Sequence, residues 1–203
     1  MQAVVLSSGG VDSTLILKML GERGYDLYPL HINYGQRSCA REWEAIQRVC
    51  KRLNMRPPHQ FDLSGYAEIP SALTNPHLDL ATQAFLPTRN LLFLVAAGAY
   101  AASRGINTLA IGLVANPIFP DQTEDFVKAA EAAIRTAVGT PFAVLAPLIK
   151  LDKRAVLELA RTVDAPIGVT YYCHAGRELP CGNCIACQER IAAEKSMVEL
   201  KGS

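Results

Sequence analysis

Two clusters of residues in this 203-residue chain have types and spacing that could do chemistry. The first is Ser8-Gly9-Gly10-Val11-Asp12-Ser13, followed by Thr14, between a short apolar run and a segment dense in Leu, Ile and Lys. Two glycines let a backbone approach an anion closely. The first amides of a helix, with hydroxyls from Ser8, Ser13 and Thr14, would then surround a phosphate or pyrophosphate. The same residues would also serve a tight strand-to-helix turn capped by Asp12 or Ser13. No Gly-Lys-Ser/Thr closes the loop and no Gly-x-Gly-x-x-Gly occurs in the chain, which excludes two common phosphate-loop patterns. The second cluster is Cys173, Cys181, Cys184 and Cys187, spaced C-x7-C-x2-C-x2-C in a turn-rich stretch with Gly176, Pro180, Gly182 and Asn183. Four thiolates suit a closed, tetrahedral, structural zinc site, and an iron–sulfur cluster is the competing occupant. His174 beside the first cysteine is an alternative ligand. Cys39 and Cys50 fall on a helical stretch and read as small core or surface residues.

These clusters need a frame, and the hydrophobic pattern supplies one. Ala3–Leu6, Asp26–Ile32, a short run at Gln60–Leu63, Thr108–Leu113 and Ala143–Leu145 read as strands. Between and after them, helices are expected at Thr14–Arg23, through Ala40, Trp43, Ile46, Val49 and Leu53, at Asn90–Arg104, Thr123–Val138, Asp152–Val163 and Ile185–Leu200. Thr123 and Asp152 are the caps of their helices, and Gly105 ends the alanine-rich one. This alternation implies an α/β fold, a doubly wound parallel sheet of about five strands covered on both faces, with the cysteine knuckle near its C-terminal end. The length suggests one domain over residues 1–203, with residues 173–187 as the knuckle within it. Ser64–Thr88 holds three prolines and no sustained period, and reads as an irregular excursion or substrate lid.

Composition narrows the function. Half of the residues are hydrophobic, 19% are charged, and 20 basic against 19 acidic side chains leave a formal charge of +1. Whole-chain disorder is excluded, and no basic stripe supports direct nucleic-acid binding. The N-terminus reaches Ser7-Ser8-Gly9 before completing a signal-length apolar run, and the apolar stretch from Asn90 to Ala102 is too short to span a bilayer. A cytoplasmic protein with reduced cysteines and no membrane contact is expected.

Ser-Gly-Gly-x-Asp-Ser after a first strand resembles the signature of the PP-loop ATP pyrophosphatases, of adenine nucleotide alpha hydrolase-like fold, which cleave ATP between its α and β phosphates, usually with Mg2+. Further stretches narrow the resemblance: Tyr34-Gly35-Gln36-Arg37, Pro87-Thr88-Arg89-Asn90, Ala146-Pro147-Leu148, Thr170-Tyr171-Tyr172-Cys173 and the four-cysteine knuckle. Together these resemble the 7-cyano-7-deazaguanine synthase family from end to end. The resemblance implies activation of the carboxylate of 7-carboxy-7-deazaguanine as an acyl adenylate, conversion by ammonia to the amide, and a second activation that dehydrates the amide to the nitrile of queuosine biosynthesis. It implies ATP binding by Ser8, Gly9, Gly10, Val11, Asp12, Ser13 and Thr14, with Asp12 handling Mg2+ or pyrophosphate. Arg37 and Arg89 would hold phosphate or carboxylate or else stand as ordinary surface arginines, Tyr34 and Asn90 would orient the base or the adenine or else cap the elements beside them, and Gln36 and Asp121 belong to the same substrate motifs. A homodimer and a structural Zn2+ on the four cysteines are further implications.

The chain also departs from that pattern. Where the family carries Asp-x-Ser-Gly-Tyr-Pro-Asp-Cys-Arg after the fourth strand, this chain has Ala115-Asn116-Pro117-Ile118-Phe119-Pro120-Asp121-Gln122-Thr123, and only Pro120-Asp121 survives. Thr88 replaces a glycine, Asn33 an aspartate, and His174 a tyrosine. Changes that spare the ATP loop and alter the substrate side suggest a second reading, an activated deazaguanine joined to another amine such as a protein N-terminus. Relatives of this family occur in bacterial antiviral gene clusters, where such conjugation fits. A tRNA-thiolating PP-loop enzyme is a third reading, without its expected tRNA-binding extension or sulfur-carrying cysteine.

Overall fold

The computed structural model describes residues 1–199. Five strands, β1 (Gln2–Leu6), β2 (Asp26–Asn33), β3 (His59–Asp62), β4 (Thr108–Ala110) and β5 (Ala143–Leu145), form one parallel sheet in the order β3-β2-β1-β4-β5. Six helices connect and flank them: α1 (Val11–Glu22), α2 (Cys39–Arg52), α3 (Arg89–Ala102), α4 (Glu124–Val138), α5 (Lys153–Thr162) and α6 (Ile185–Glu199). Leu200, expected as the last residue of α6, lies outside the described residues. None of the described helices is long and apolar enough to cross a membrane.

Strand side chains alternate between faces, so β1 serves two cores at once. Val4 and Leu6 pack with Leu94, Ala97 and Ile134 of α3 and α4, while Ala3 and Val5 pack with Leu15, Ile46 and Leu157 of α1, α2 and α5. Strands buried on both faces read as continuous apolar runs, which is why the parallel sheet was legible.

Local chemistry sets the helix ends. Thr123 Oγ1 accepts from the Phe126 amide at 3.2 Å and Asp152 Oδ1 accepts from the Ala155 amide at 2.7 Å, as the sequence indicates. Gly105, at φ +69°, follows the end of α3. The start of α1 differs from expectation. The helix begins at Val11, and Gly10 in extended backbone, not Asp12 or Ser13, is the cap residue. Ser13 Oγ instead donates back to Gly10 O at 3.2 Å. In α2 the buried positions are Ala45, Ile46, Val49 and Cys50, while Ala40 is exposed. The strand expected at Thr108–Leu113 stops at Ala110, and the chain then turns beneath the first loop, where a Cβ on Gly112 would stand 3.2 Å from Asp12 Cβ.

The excursion after β3 is anchored. Ser64–Glu68 forms a 3-10 turn, and Ala72, Leu73, Leu80, Ala84 and Leu86 are then buried in the core. Leu73 and Ala84 reach the wall of the cavity described next.

Candidate active site

The strand order reverses at β1, where chain connections lead one way to β2 and β3 and the other way to β4 and β5. In open parallel sheets the crevice beyond the C-terminal strand ends at such a reversal is the usual ligand site. A cavity of about 310 Å³ opens there, lined by Ser7 and Ser8 after β1 and by Ile111, Gly112 and Leu113 after β4. Its volume suits a small-molecule site.

Ser8, Gly10, Val11, Asp12 and Ser13 line this cavity, whereas Gly9 and Thr14 stand behind it. The first three amides of α1 have no intrahelical acceptor and present a partial positive charge to an anion. Gly10 has another reason to be glycine, since a Cβ there would stand 3.3 Å from Ser8 Oγ and 3.4 Å from Tyr171 O. Gly9 adopts φ +72° and packs against the backbone of α2 rather than facing the cavity. Lys153, the first residue of α5, donates to both Asp12 carboxylate oxygens, at 2.9 and 2.7 Å, and also lines the cavity. This cation is absent from the motifs that pointed to the loop, because it arrives from 141 residues away.

The cavity is also lined by Tyr34, Arg89, Asn90, His31 and Glu42. Burial first, opposed by the Arg89 charge, pushes the Tyr34 phenol up to about 12, so it remains a neutral hydrogen-bonding group. Its ring lies 5.1 Å from that of Phe93. His31 accepts from Gln60 Nε2 at Nδ1 (3.3 Å) and donates from Nε2 to Glu42 Oε2 (3.2 Å). Glu42 also accepts from Gln36 Nε2 at 2.9 Å and Ser38 Oγ at 2.6 Å. Burial would raise this carboxyl, but the hydrogen bonds from His31, Ser38 and Gln36 outweigh it and hold Glu42 below its ordinary range. The stability this network contributes is therefore complete above the unfolded carboxylate range, near pH 4.3, and is lost as pH falls through the lower folded value. Glu42→Gln should cost about 2–3 kcal/mol, because three donors lose a charged acceptor. Urea titrations at pH 7 and in acid check this, since the difference between wild type and variant must shrink as pH falls. A constant difference would remove the charge from the explanation.

Three expected substrate residues do not reach the cavity. Gln36 is buried, donates to Ile32 O at 3.1 Å and to Glu42, and accepts from the Tyr34 amide at 2.9 Å, so it shapes the turn that presents Tyr34. Arg37 turns away and donates to Ala72 O at 3.3 Å. The Asp121 carboxylate accepts from the Asn90 amide at 3.2 Å, and Asn90 Nδ2 donates to Asp121 O at 3.0 Å. Asp121 thus caps α3, whose own cap residue, Thr88, lies at φ +57° without a side-chain cap. Conversely, Ile118, Phe119 and Gln122 of the divergent loop do line the cavity. Gln122 Oε1 accepts from the amides of Ile118 (2.9 Å) and Phe119 (3.0 Å), which closes the loop on itself, and Phe119 packs 5.1 Å from Phe85 at the mouth.

The four cysteines converge. Their sulfurs lie within 4.8 Å of one another, Cys173, Cys184 and Cys187 are buried, and Cys181 Sγ and Cys187 Sγ are 3.9 Å apart. Four thiolates 2.3 Å from one tetrahedral ion would be about 3.8 Å apart, so the donor set fits a single ion. Burial alone would raise Cys181, yet the Asn183 and Cys184 amides bring it down to about 7, whereas burial dominates at Cys184 and Cys187 and raises both. The knuckle and the residues beside it also form a wall of the cavity, through His174 within it and Tyr172, Glu189 and Arg190 flanking it. Burial, and then the Arg89 charge, lower His174 to about 4.

The family described as queuosine biosynthesis protein QueC matches residues 2–198. The 7-cyano-7-deazaguanine synthase of Caldicellulosiruptor bescii is 33% identical, over 97% of this chain and 94% of its own length. That of Aliarcobacter butzleri is 30% identical, over 98% and 96%. Among solved structures, the U34-tRNA thiolase NcsA from Methanococcus maripaludis with its 4Fe-4S cluster superposes with a TM-score of 0.54, at 16% identity over 100% of this chain and 67% of that one. NMN synthetase from Francisella tularensis gives a TM-score of 0.52, at 16% identity over 100% and 77%. These structural likenesses establish the fold alone.

Proposed function

The chain belongs to the QueC family of queuosine biosynthesis proteins, and from that premise we propose that it is an ATP-dependent C–N ligase converting 7-carboxy-7-deazaguanine and ammonia to 7-cyano-7-deazaguanine. The observation that carries this is the loop Ser8–Ser13 at the sheet's reversal, with the Asp12–Lys153 pair and Arg89 lining the same cavity. A substrate carboxylate oxygen attacks the α phosphorus, the bond to the bridging oxygen breaks, and pyrophosphate leaves. Ammonia then attacks the acyl carbon, the acyl–oxygen bond to AMP breaks, and the nitrogen sheds a proton to give the amide. The amide oxygen then attacks the α phosphorus of a second ATP, pyrophosphate leaves, and loss of the remaining nitrogen protons with cleavage of the carbon–oxygen bond to AMP leaves the nitrile. The residues supply positioning and electrostatics. Amides of α1, the Ser8 and Ser13 hydroxyls and Lys153 face the phosphates, and Arg89 offsets charge where two anions must meet. Mg2+ bound with ATP would supply neutralisation of phosphate charge, and Asp12 is the loop carboxylate that would hold it.

Incubation with ATP, Mg2+, the acid and ammonium, followed by mass spectrometry, tests the reading. Free nitrile with AMP is expected. Asp12→Asn, which breaks the pair with Lys153, should lower AMP formation by about 100-fold, or about 2.7 kcal/mol of barrier. Unchanged AMP formation would take Asp12 out of the reaction.

The divergent loop favours a second reading. Ile118, which lines the cavity and is exposed, puts apolar surface at its mouth, where the family carries Ser-Gly-Tyr. Such a mouth suits a larger amine acceptor, a protein N-terminus in particular, in an antiviral setting. AMP release that stops without nitrile would select it.

Zinc is the metal assigned to the knuckle, since one ion fits sulfurs this close while a cubane cluster spreads its ligands further apart. Metal analysis should find about one zinc per chain. A brown, iron-containing protein would overturn the assignment. A cytoplasmic homodimer completes the proposal, and sedimentation equilibrium reads the oligomeric state.

A further inference from the structure

Four buried side-chain polar atoms among the described residues have no hydrogen-bond partner, and three of them, Arg89 Nε, His174 Nδ1 and Arg190 Nη1, belong to residues lining the cavity. Buried donors without partners are rare, so their convergence on one cavity points to the ligand as the missing partner. Arg190 is the most prepared of the three. Its Nε donates to Glu194 Oε1 at 2.6 Å and its guanidinium carbon stands 5.6 Å from the Tyr172 ring centre. Those two contacts hold the planar fork and leave Nη1 without a protein partner. It sits in the first turns of α6, three residues after the last cysteine of the knuckle.

Two anions must share this site if the reaction proposed above is correct, and this inference rests on that reading. The amides of α1 and Lys153 already face the phosphates. The unspent donors are two guanidiniums and an imidazole, and a guanidinium fork matches the planar geometry of a carboxylate. We propose that Arg190, acting with Arg89 and His174, holds the carboxylate of the deazaguanine acid, and that Arg190 makes the site prefer this acid over its neutral amide. The knuckle then has a second consequence beyond stability. By fixing the start of α6 it places a substrate-binding guanidinium.

Calorimetric titration of the full-length, zinc-loaded protein with the acid and, separately, with the neutral amide tests this without ATP. Wild type is expected to bind the acid at least about tenfold more tightly. Arg190→Gln should weaken acid binding by about tenfold and leave amide binding within about twofold, with zinc content and melting temperature unchanged. Equal losses for both ligands would mean that Arg190 only supports the fold, and would overturn the proposal. A loss confined to a non-hydrolysable ATP analogue would assign Arg190 to the nucleotide and overturn it likewise. If Arg190→Gln fails to hold zinc, Arg190→Lys decides, because it keeps the charge and removes the fork. Acid affinity should then fall severalfold with the amide unaffected, and an unchanged acid affinity would refute the role. Wild-type protein that binds neither compound would overturn the substrate reading itself, a result distinct from equal binding of both, which would sink only the inference.

Discussion

Cys184→Ser is expected to empty the knuckle of metal and to remove more than about 99% of AMP formation, although no cysteine touches the cavity. Cys184 is fully buried among sulfurs that all lie within 4.8 Å of one another, so no solvent ligand can take its place. Structural zinc contributes about 10–16 kcal/mol of binding energy in isolated fingers, and that energy belongs to folding. Even a fraction of it, about 4 kcal/mol, would lower the melting temperature by about 10 °C in a chain of this size. Activity falls further than stability because the knuckle is a wall of the site. It contains His174 and is flanked by Tyr172 and Arg190, and its turn at Gly176, at φ +70°, lies so close to Arg37 O that a Cβ there would come within 2.1 Å. Zinc per chain, melting temperature and AMP release should drop together, while Cys50→Ala, a buried thiol of α2 outside the cluster, leaves zinc content unchanged. A Cys184→Ser protein that retains zinc and activity would refute the structural role.

Gly9→Ala should destabilise the protein by about 3–5 kcal/mol and abolish measurable turnover. The position combines two penalties. At φ +72° an L side chain is strained, at about 1–2 kcal/mol. A Cβ would also stand 2.6 Å from Ile46 N, 2.8 Å from Ala45 Cβ and 2.9 Å from Glu42 O. Two of these contacts are backbone of a helix, which cannot rotate aside as a side chain can, so α2 must move and carry Glu42 with it. Gly24→Ala separates the terms, because Gly24 has φ +80° and nothing within 4 Å of its Cβ position. It should lose only the conformational part, about 1 kcal/mol. Chemical denaturation of both variants measures the difference. Equal losses would show that contact with α2 is not what requires glycine at position 9.

The glycine loop, the cysteine spacing, the caps at Thr123 and Asp152 and the β-α alternation were all legible without coordinates. Each is encoded within a few consecutive residues or in a short hydrophobic period, and local geometry follows from local sequence. The loop's place after the first strand was legible, but the reason for its first glycine was not, since Gly9 answers to a helix that begins 30 residues later. Lys153, Glu42, Glu189 and Arg190 had no local signal. They are ordinary polar residues on separate elements and become neighbours of the loop only because the order β3-β2-β1-β4-β5 brings their elements around one crevice. The polar residue inside the apolar run of β2, His31, was the one available hint. Gln36, Arg37 and Asp121 show the converse, since membership of a motif did not say which way each side chain turns. Chain-local chemistry set the elements and the four-cysteine cluster. The population of the cavity was decided by long-range packing, because burying both faces of the sheet fixes which helix ends, and hence which charges, meet at the reversal of strand order.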